Sequence, residues 1–411
     1  MTPASGLARG PDRGMDWLTL LLAGGGSAYG AFIPVYLTAH AWTQTRIGLV
    51  LTVSTVVGML CQVPAGLLVD AIGPRRRTAL YWAIVAAGLV PMVFVILPRR
   101  LPVLLAMAVQ AAAGSIFTPA VAAISLALVG RDGLGERVGR NGRYGSIGAG
   151  MGAAVMGACG YLGSPKVAFV AAAALTVPAL LALRAIGPDR AAVVPMTATE
   201  ERPGLFSPFR LLRDRRLLIY ALCVALFQVA SIAVLQLSAV DVTARLGARG
   251  ALVIAAFLIV PQVVVAVISP WLGKAADRFG HRVVLLVGFA TVPVRGVLFA
   301  LVRNPYVLVP VQVLEGAGGA AFGVMMPLVA ADLTQGKGHY TLCLSLVGLA
   351  AGAGTAISTA LAGWTADHYG RHAAFWVLAA AGVAAVALVA LAMPETRRGD
   401  AAPSEPGEPA E

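Results

Sequence analysis

Charged residues are scarce in this 411-residue chain. Asp, Glu, Lys and Arg together make up 12% of it, whereas 58% of the residues are hydrophobic and the mean hydropathy is +0.82. A chain with so few polar side chains cannot hide its apolar surface inside one water-soluble globule. The composition therefore indicates a protein that uses lipid as a solvent.

Cysteine and histidine are also few. The four cysteines lie in separate apolar stretches without paired spacing, so we expect no disulfide framework. The five histidines lie near the ends of apolar stretches and show no metal-ligand pattern. The glycine run 24–26 lies inside an apolar stretch, so it does not predict a phosphate-binding loop. We expect no enzymatic site, no metal, no cofactor and no ATP-driven pump.

Long apolar stretches take up most of the chain. A helix needs about 20 residues to cross the hydrocarbon core of a bilayer, and twelve stretches approach or reach this length. Charge enters them at two positions, Arg295 in the ninth and Glu315 in the tenth. The sequence therefore predicts an all-α integral membrane protein with twelve spans, at residues 17–39, 47–69, 78–97, 101–129, 144–164, 167–183, 217–240, 250–272, 283–302, 306–331, 341–364 and 373–393.

The basic residues predict the orientation. If the N-terminus is cytoplasmic, 22 of the 31 Lys and Arg residues lie on the cytoplasmic side and eight on the other. The positive-inside rule then places both termini in the cytoplasm and the protein in the cell (inner) membrane. The net charge of +12 is explained by anionic lipids of the inner leaflet, so nucleic-acid binding is not expected. Residues 17–39 are too long for a signal-peptide core and predict a retained first helix.

One motif occurs twice, 207 residues apart, each time where an apolar stretch meets a basic turn. Both copies read G-x-x-x-D-x-x-G followed by cations. The first Gly permits a close helix approach, the Asp caps or pairs at the membrane face, and the second Gly turns the chain. The residues of the two copies are Gly66, Asp70, Gly73, Arg75 and Arg76, and Gly273, Asp277, Arg278, Gly280 and Arg282.

This duplicated motif resembles the signature loop of the major facilitator superfamily. The resemblance covers residues 17–393 and implies two six-helix bundles around a cavity that opens alternately to each side. Helices 1, 4, 7 and 10 would line the cavity, and helices 2, 5, 8 and 11 would form the moving interface. A second echo, Gln110–Gly114 and Gln312–Gly316, fits parallel repeats of six helices.

The same resemblance predicts the domain organisation. Residues 1–16 form a cytoplasmic N-tail, and 17–186 form the N-terminal bundle. The proline-containing segment 187–214 is a cytoplasmic linker. Residues 215–393 form the C-terminal bundle, and the tail 394–411, rich in Pro, Glu and Ala, is expected to be disordered.

The helices that would line the cavity carry aromatic, amide and hydroxyl side chains. This lining suits a neutral, amphipathic or cationic small molecule better than a polyanion, although helix packing is the commoner role of any single such residue. The drug-exporting branch of the family has an Arg in the fourth span, where this chain has Gln110. The candidate cavity residues are Tyr29, Phe32, Tyr36, Gln110, Phe117, Thr118, Phe227, Gln228, Ser231, Gln236 and Gln312.

Glu315 is the one carboxylate within the predicted spans. A charge in the membrane is expensive unless it is paired, hydrated or neutralised, so Glu315 marks a candidate functional site. Arg295 and Glu315 lie at similar depths, roughly 10–14 Å below the surface at a rise of 1.5 Å per residue. They predict either a structural ion pair or a proton-exchanging Glu315 that faces the cavity with Arg295 behind it.

These observations predict a secondary active transporter that works by alternating access. Proton-coupled efflux of a drug-like compound or a metabolite is the main expectation, and an uptake facilitator or symporter is the alternative. A non-transporting membrane sensor or lipid-handling protein is the alternative of another class. We expect a monomer in the lipid bilayer whose partners are a small-molecule substrate and protons or another coupling ion.

Overall fold

The computed structural model describes residues 9–30, 33, 36, 37, 40, 42–162, 165–186, 211–246, 250–335 and 339–393. Within these residues the chain is helical and contains no strand. Twelve long helices follow one another in the described part of the chain. They are α1 (Arg9–Gly30), α2 (Gln44–Ile72), α3 (Arg76–Ile96), α4 (Arg100–Val129), α5 (Leu134–Leu162), α6 (Pro165–Ala174 and Thr176–Ala185), α7 (Arg215–Leu246), α8 (Gly250–Phe279), α9 (His281–Leu301), α10 (Pro305–Leu333), α11 (Tyr340–Tyr369) and α12 (Arg371–Ala392).

Ten of these helices are long and apolar enough to cross a membrane, namely α2–α4 and α6–α12. Glycine runs lower the hydropathy of α1 and α5, and both helices begin with charged turns. Both also begin earlier than the predicted spans, at Arg9 and Leu134. The apolar pattern marks the part of a helix that lies in hydrocarbon, whereas the helix itself continues into the headgroup region.

Helix α6 is broken at Leu175 between its two segments. Pro178 explains the break, because a proline ring collides with the carbonyl group four residues earlier and cannot donate a hydrogen bond to it. That carbonyl belongs to Ala174, the last residue of the first segment.

The two halves of the chain pack their helices in the same way. In the first half α1 packs on α5, α2 on α4, and α3 on α6. In the second half α7 packs on α11, α8 on α10, and α9 on α12. Glycine permits the closest of these contacts: a Cβ atom on Gly148 of α5 would overlap the Leu20 carbonyl of α1, and one on Gly354 of α11 would overlap the Ala225 carbonyl of α7. Each half is therefore a bundle built from the same helix pairs.

The halves meet along two seams, α5 against α8 and α2 against α11. These are the four helices that the family resemblance assigned to the moving interface. The linker 187–214 lies outside the described residues up to 210, as does the tail 394–411, so the expectations for these segments stay predictions.

Candidate functional site

Asp70, near the end of α2, binds the first turn of α11 in the other half. Its Oδ1 accepts a hydrogen bond from the backbone N–H of Thr341 (3.2 Å), and its Oδ2 accepts one from that of Leu342 (2.9 Å). The first N–H groups of a helix lack partners within the helix and carry partial positive charge. The carboxylate of Asp70 therefore caps α11 and fastens the two halves together.

The glycines of the first motif copy shape this contact. A Cβ atom on Gly66 would lie 2.8 Å from the carbonyl oxygen of Thr341, so only glycine fits where α2 crosses α11. The hydroxyl group of Thr341 donates a hydrogen bond to the Gly66 carbonyl (2.8 Å). Gly73 follows with a φ of 55°, in the left-handed region, and turns the chain toward α3.

The second motif copy makes the equivalent contact with α5. Gly273 of α8 lies against the backbone of Gly135, and a Cβ atom on Gly135 would lie 2.7 Å from Oδ1 of Asp277. Gly280 then turns the chain with a φ of 86°. The two copies are thus placed symmetrically, each at the end of one helix and beside the first turn of a helix from the other half.

The cations of the two motif copies lie at the same surface. Arg278 stacks over the ring of Phe279 at 5.2 Å, and Arg75 is exposed. Arg282 donates a hydrogen bond to the Ala390 carbonyl near the end of α12. Arg77, next to Arg76, does the same for the Leu183 carbonyl of α6 (2.7 Å). Within each half, an arginine therefore caps the last helix, as cations near helix C-termini do.

We call the end of the bundle where α2 and α8 finish, and where α5 and α11 begin, the motif end. Two further hydrogen bonds cross between the halves here: Arg131 binds the Ala331 carbonyl (2.6 Å), and Arg143 binds the Ala266 carbonyl (3.0 Å). Among the described residues, one apolar core at this end contains residues of both halves, such as Val69 and Leu342.

At the opposite end, the described apolar residues form two separate cores. One belongs to the first half and is built around Phe94 and Phe169. The other belongs to the second half and is built around Phe257 and Phe299. Among the described residues, the halves therefore share one apolar core at the motif end and have separate cores at the opposite end.

Inside the second half, Glu315 of α10 lies at the centre of a polar cluster. Nη1 of Arg295 from α9 binds Oε2 of Glu315, and the hydroxyl group of Ser231 from α7 donates a hydrogen bond to the same oxygen (2.8 Å). Nε of Arg295 donates to Oε1 of Gln312 (3.1 Å). The structure thus joins Arg295 and Glu315, which the sequence suggested only from their similar depths.

The two charged partners differ in exposure. The Arg295 side chain is 1% exposed, whereas the Glu315 side chain is 27% exposed. The guanidinium group lies behind the carboxylate, and its hydrogen bonds run to Gln312, to Glu315 and to the Ser231 carbonyl (3.3 Å). The cluster therefore holds a partly exposed carboxyl group while the balancing positive charge stays buried.

Several of the other candidate cavity residues are at least partly exposed. Thr118 and Gln236 are exposed, and Phe117 and Gln228 are half-buried. Gln110 and Phe117 line a small cavity of about 50 Å³ within the first half, between α1, α3, α4 and α6. Tyr29 lies in α1, but its side chain lies outside the part of the chain that the structure describes, as does the whole of Phe32.

Four of the candidate residues, Ser231 of the Glu315 cluster and the three below, are buried in helix packing in this conformation. Tyr36 donates a hydrogen bond to the Phe94 carbonyl (2.6 Å). Phe227 stacks on Phe289, with the ring centroids 4.4 Å apart. Gln312 is fully buried beneath Arg295. Phe227 lies on α7 and Gln312 on α10, and both point into the second bundle, whereas Tyr36 follows α1 and points into the first.

Sequence reasoning missed a buried charge cluster in the first half. Asp16 of α1 accepts hydrogen bonds from both Arg137 and Arg140 of α5, and Asn141 accepts two further bonds from Arg137 (3.0 and 2.7 Å). The Arg137 side chain is 1% exposed. The pairs Asp12–Asp16 and Arg137–Asn141, each four residues apart, were the available signal, since this spacing puts both members on one helix face.

The comparisons with known proteins agree on one family. The model described as Major Facilitator Superfamily matches residues 16–268 and 246–410. A relative named as an uncharacterised MFS-type transporter of Mycobacterium tuberculosis (strain H37Rv) is 34% identical over 391 residues, which is 93% of each chain. A shorter similarity, 30% identity over 134 residues, links 32% of this chain to 24% of a multidrug resistance protein B homologue of the same strain.

Solved structures show the same fold. The Escherichia coli fucose:proton symporter FucP superimposes with a TM-score of 0.70 at 14% identity, over 93% of this chain and 98% of FucP. One of those crystal structures is described as an outward conformation.

Proposed function

Since the chain belongs to the major facilitator superfamily, whose members carry small molecules across membranes, we propose that it is a proton-coupled exporter that works by alternating access. The observation that carries this proposal is the Glu315 cluster. A carboxyl group that is partly exposed inside a helical bundle, with a buried arginine behind it, can take up and release protons as its surroundings change between the two states.

The contacts at the motif end support the gating part of the proposal. Asp70 and Asp277 each sit beside the first turn of a helix in the opposite half, so both contacts break when the halves separate there. The excess of cations at the motif end supports a cytoplasmic location for this end by the positive-inside rule. The described conformation is then outward-facing, with 17–186 and 215–393 as the two moving bundles.

The proposed cargo is a neutral, amphipathic or cationic small molecule. Thr118, Gln228 and Gln236 offer hydroxyl and amide groups, and Glu315 is the acidic group among the candidate cavity residues. The name of the multidrug resistance relative supports export of drug-like compounds. Flux into and out of proteoliposomes, measured over a substrate panel with imposed pH gradients, tests this proposal. If every transported substrate moves only down its own concentration gradient, whatever the pH gradient, facilitated uptake remains as the function.

The proposed orientation predicts the labelling pattern of two exposed positions at opposite ends. We expect Asp132→Cys, between α4 and α5, to react with a membrane-impermeant maleimide only after the membrane is opened. Asn304→Cys, just before α10, should react in intact cells. Both variants are made in a background without the four native cysteines. The reverse pattern would invert the orientation and with it the outward-facing assignment.

The proposed gate predicts that Asp70→Asn shifts the population of states. An amide caps a helix without a charge, so the closed motif end should lose about 1 kcal/mol, or about fivefold in the equilibrium between states. Leu49→Cys on α2 and Leu252→Cys on α8 carry spin labels at exposed positions far from the motif end. Pulsed electron paramagnetic resonance then measures the distance between the two halves of the chain. Asp132→Asn, an exposed acid at the same end, is the control. An unchanged distance distribution in Asp70→Asn would reduce Asp70 to a helix cap without a gating role.

A further inference from the structure

A polar groove opens where α5 of the first half meets α8 of the second half. Its volume is about 630 Å³, and it lies at the motif end. Three cations and one acid line it, together with two amphipathic aromatic side chains. These residues are Glu136, Arg140, Arg143, Tyr144, Trp271 and Lys274.

The groove lies at the depth of the lipid headgroups. The apolar span of α5 was predicted to begin at residue 144, and that of α8 to end at residue 272, so the groove sits where both helices leave the hydrocarbon. Trp271 is 74% exposed there, and tryptophan is enriched at the level of the headgroups. Lys274 is exposed one turn beyond it, on the side of the membrane surface.

An apolar stripe continues from the groove along each helix toward the middle of the membrane. On α5 it consists of Ile147, Met151 and Val155, and on α8 of Val267 and Val263, all of them exposed at helical spacing. Gly148 and Gly152 turn another face of α5 toward α1, while Gly139 and Gly142 turn a third face toward α8. The stripes therefore lie on the faces that point away from the bundle, where acyl chains would lie.

The charge of the groove favours an anion. Arg140 contacts Asp16 through one terminal nitrogen, but a guanidinium group carries five N–H donors. Arg143 uses its Nε on the Ala266 carbonyl. Lys274 adds an ammonium group, and Glu136 contributes the single acid of this lining. The three cations exceed this acid, and pairing of Arg140 with Asp16 still leaves a net positive charge, which favours a lipid of net negative charge over a zwitterionic one.

We propose that this groove binds an anionic phospholipid, with its phosphate among Arg140, Arg143 and Lys274 and its acyl chains along the two stripes. Basic pockets between helices at the cytoplasmic face bind such headgroups. Because α5 and α8 belong to different halves, the groove exists only while the motif end is closed. The bound lipid therefore stabilises that state, and this consequence, unlike the binding itself, rests on the proposed alternating-access function.

Binding is tested on the purified full chain in nanodiscs of phosphatidylcholine alone or mixed with phosphatidylglycerol. Native mass spectrometry then counts retained phosphatidylglycerol. We expect Lys274→Gln to weaken retention about fivefold, the effect of one basic charge near an anionic surface. Lys166→Gln is the matched control, since it makes the same change at an exposed site at the opposite end. Equal retention in wild type and Lys274→Gln would overturn the site.

Two further measurements sharpen the outcome. Inorganic phosphate should not displace the lipid, because it cannot occupy the stripes; displacement would mean that the groove is a site for free anions. The spin-label distances between positions 49 and 252 should shift toward the state closed at the motif end when phosphatidylglycerol is added to wild type, but not to Lys274→Gln. Retention without such a shift would overturn the conformational role while leaving the proposed transport activity untouched.

Discussion

Glu315→Gln is expected to abolish proton-driven accumulation of substrate while downhill exchange continues. The amide keeps the shape of the side chain and can still accept a hydrogen bond from Ser231, but it cannot exchange a proton. Coupling to a pH gradient requires a group that titrates between the two states. Proteoliposomes loaded with substrate, with and without an imposed pH gradient, measure the two activities separately.

Glu315→Asp is the matched control, because it retains a carboxyl group on a shorter side chain and should keep part of the coupling. Gradient-driven accumulation by Glu315→Gln at the wild-type level would exclude Glu315 as the coupling site.

A purely structural ion pair predicts a different pattern. Removing Glu315 alone leaves the guanidinium group of Arg295 buried without its counter-charge, and breaking a buried pair costs about 3–5 kcal/mol. The double variant Arg295→Gln with Glu315→Gln removes both charges and avoids this penalty. If the double variant folds and still accumulates substrate against its gradient, the pair is structural. If it folds but only equilibrates substrate, the coupling role stands.

Arg137→Met is expected to produce the largest loss of stability. The change leaves Asp16 buried between α1 and α5 with Arg140 as its remaining cation, and it removes both hydrogen bonds to Asn141. Losing one partner of a buried pair destabilises by about 3–5 kcal/mol, which lowers the apparent melting temperature of a bundle of this size by about 10 °C. Thermal unfolding in detergent, followed by tryptophan fluorescence, measures this shift.

Arg213→Met, an exposed arginine outside the helices, is the control and should leave the melting temperature unchanged. Adding Asp16→Asn to Arg137→Met should recover part of the loss, since it removes the uncompensated carboxylate. If Asp16→Asn deepens the loss instead, the penalty comes from packing of the Arg137 side chain and not from its charge.

The sequence predicted the elements whose signal is local. The twelve apolar stretches each correspond to a helix, because lipid demands continuous apolar runs with internally satisfied backbone. In the duplicated motif, Gly66 and Gly273 lie at close helix contacts and Gly73 and Gly280 turn the chain, properties that follow from glycine itself, whereas the gating role of the motif stays a prediction.

Features that depend on a distant partner could not be predicted in this way. The sequence around Asp70 does not predict that its carboxylate binds the N–H groups of Thr341 and Leu342, which lie 271 and 272 residues away. The hydropathy pattern did not include Asp16 and Arg137 in the predicted spans, because each residue lies outside the apolar run of its helix. Tyr36 and Phe227 were assigned to the cavity from their helices alone, whereas the direction of a side chain depends on the rotation of the helix in the bundle.

The closed motif end also buries several polar side chains. Within the described residues, the polar side chains of His339, Tyr340 and Ser345 are buried at the start of α11, which packs against α2 of the other half. A buried polar group costs free energy whenever its hydrogen bonds to water are not replaced by bonds within the protein. If the halves part there, we expect these groups to become hydrated, which would offset part of the loss of the Asp70 contacts. We therefore expect opening of the proposed gate to take up water, so that concentrated solutes too large to enter would favour the closed state.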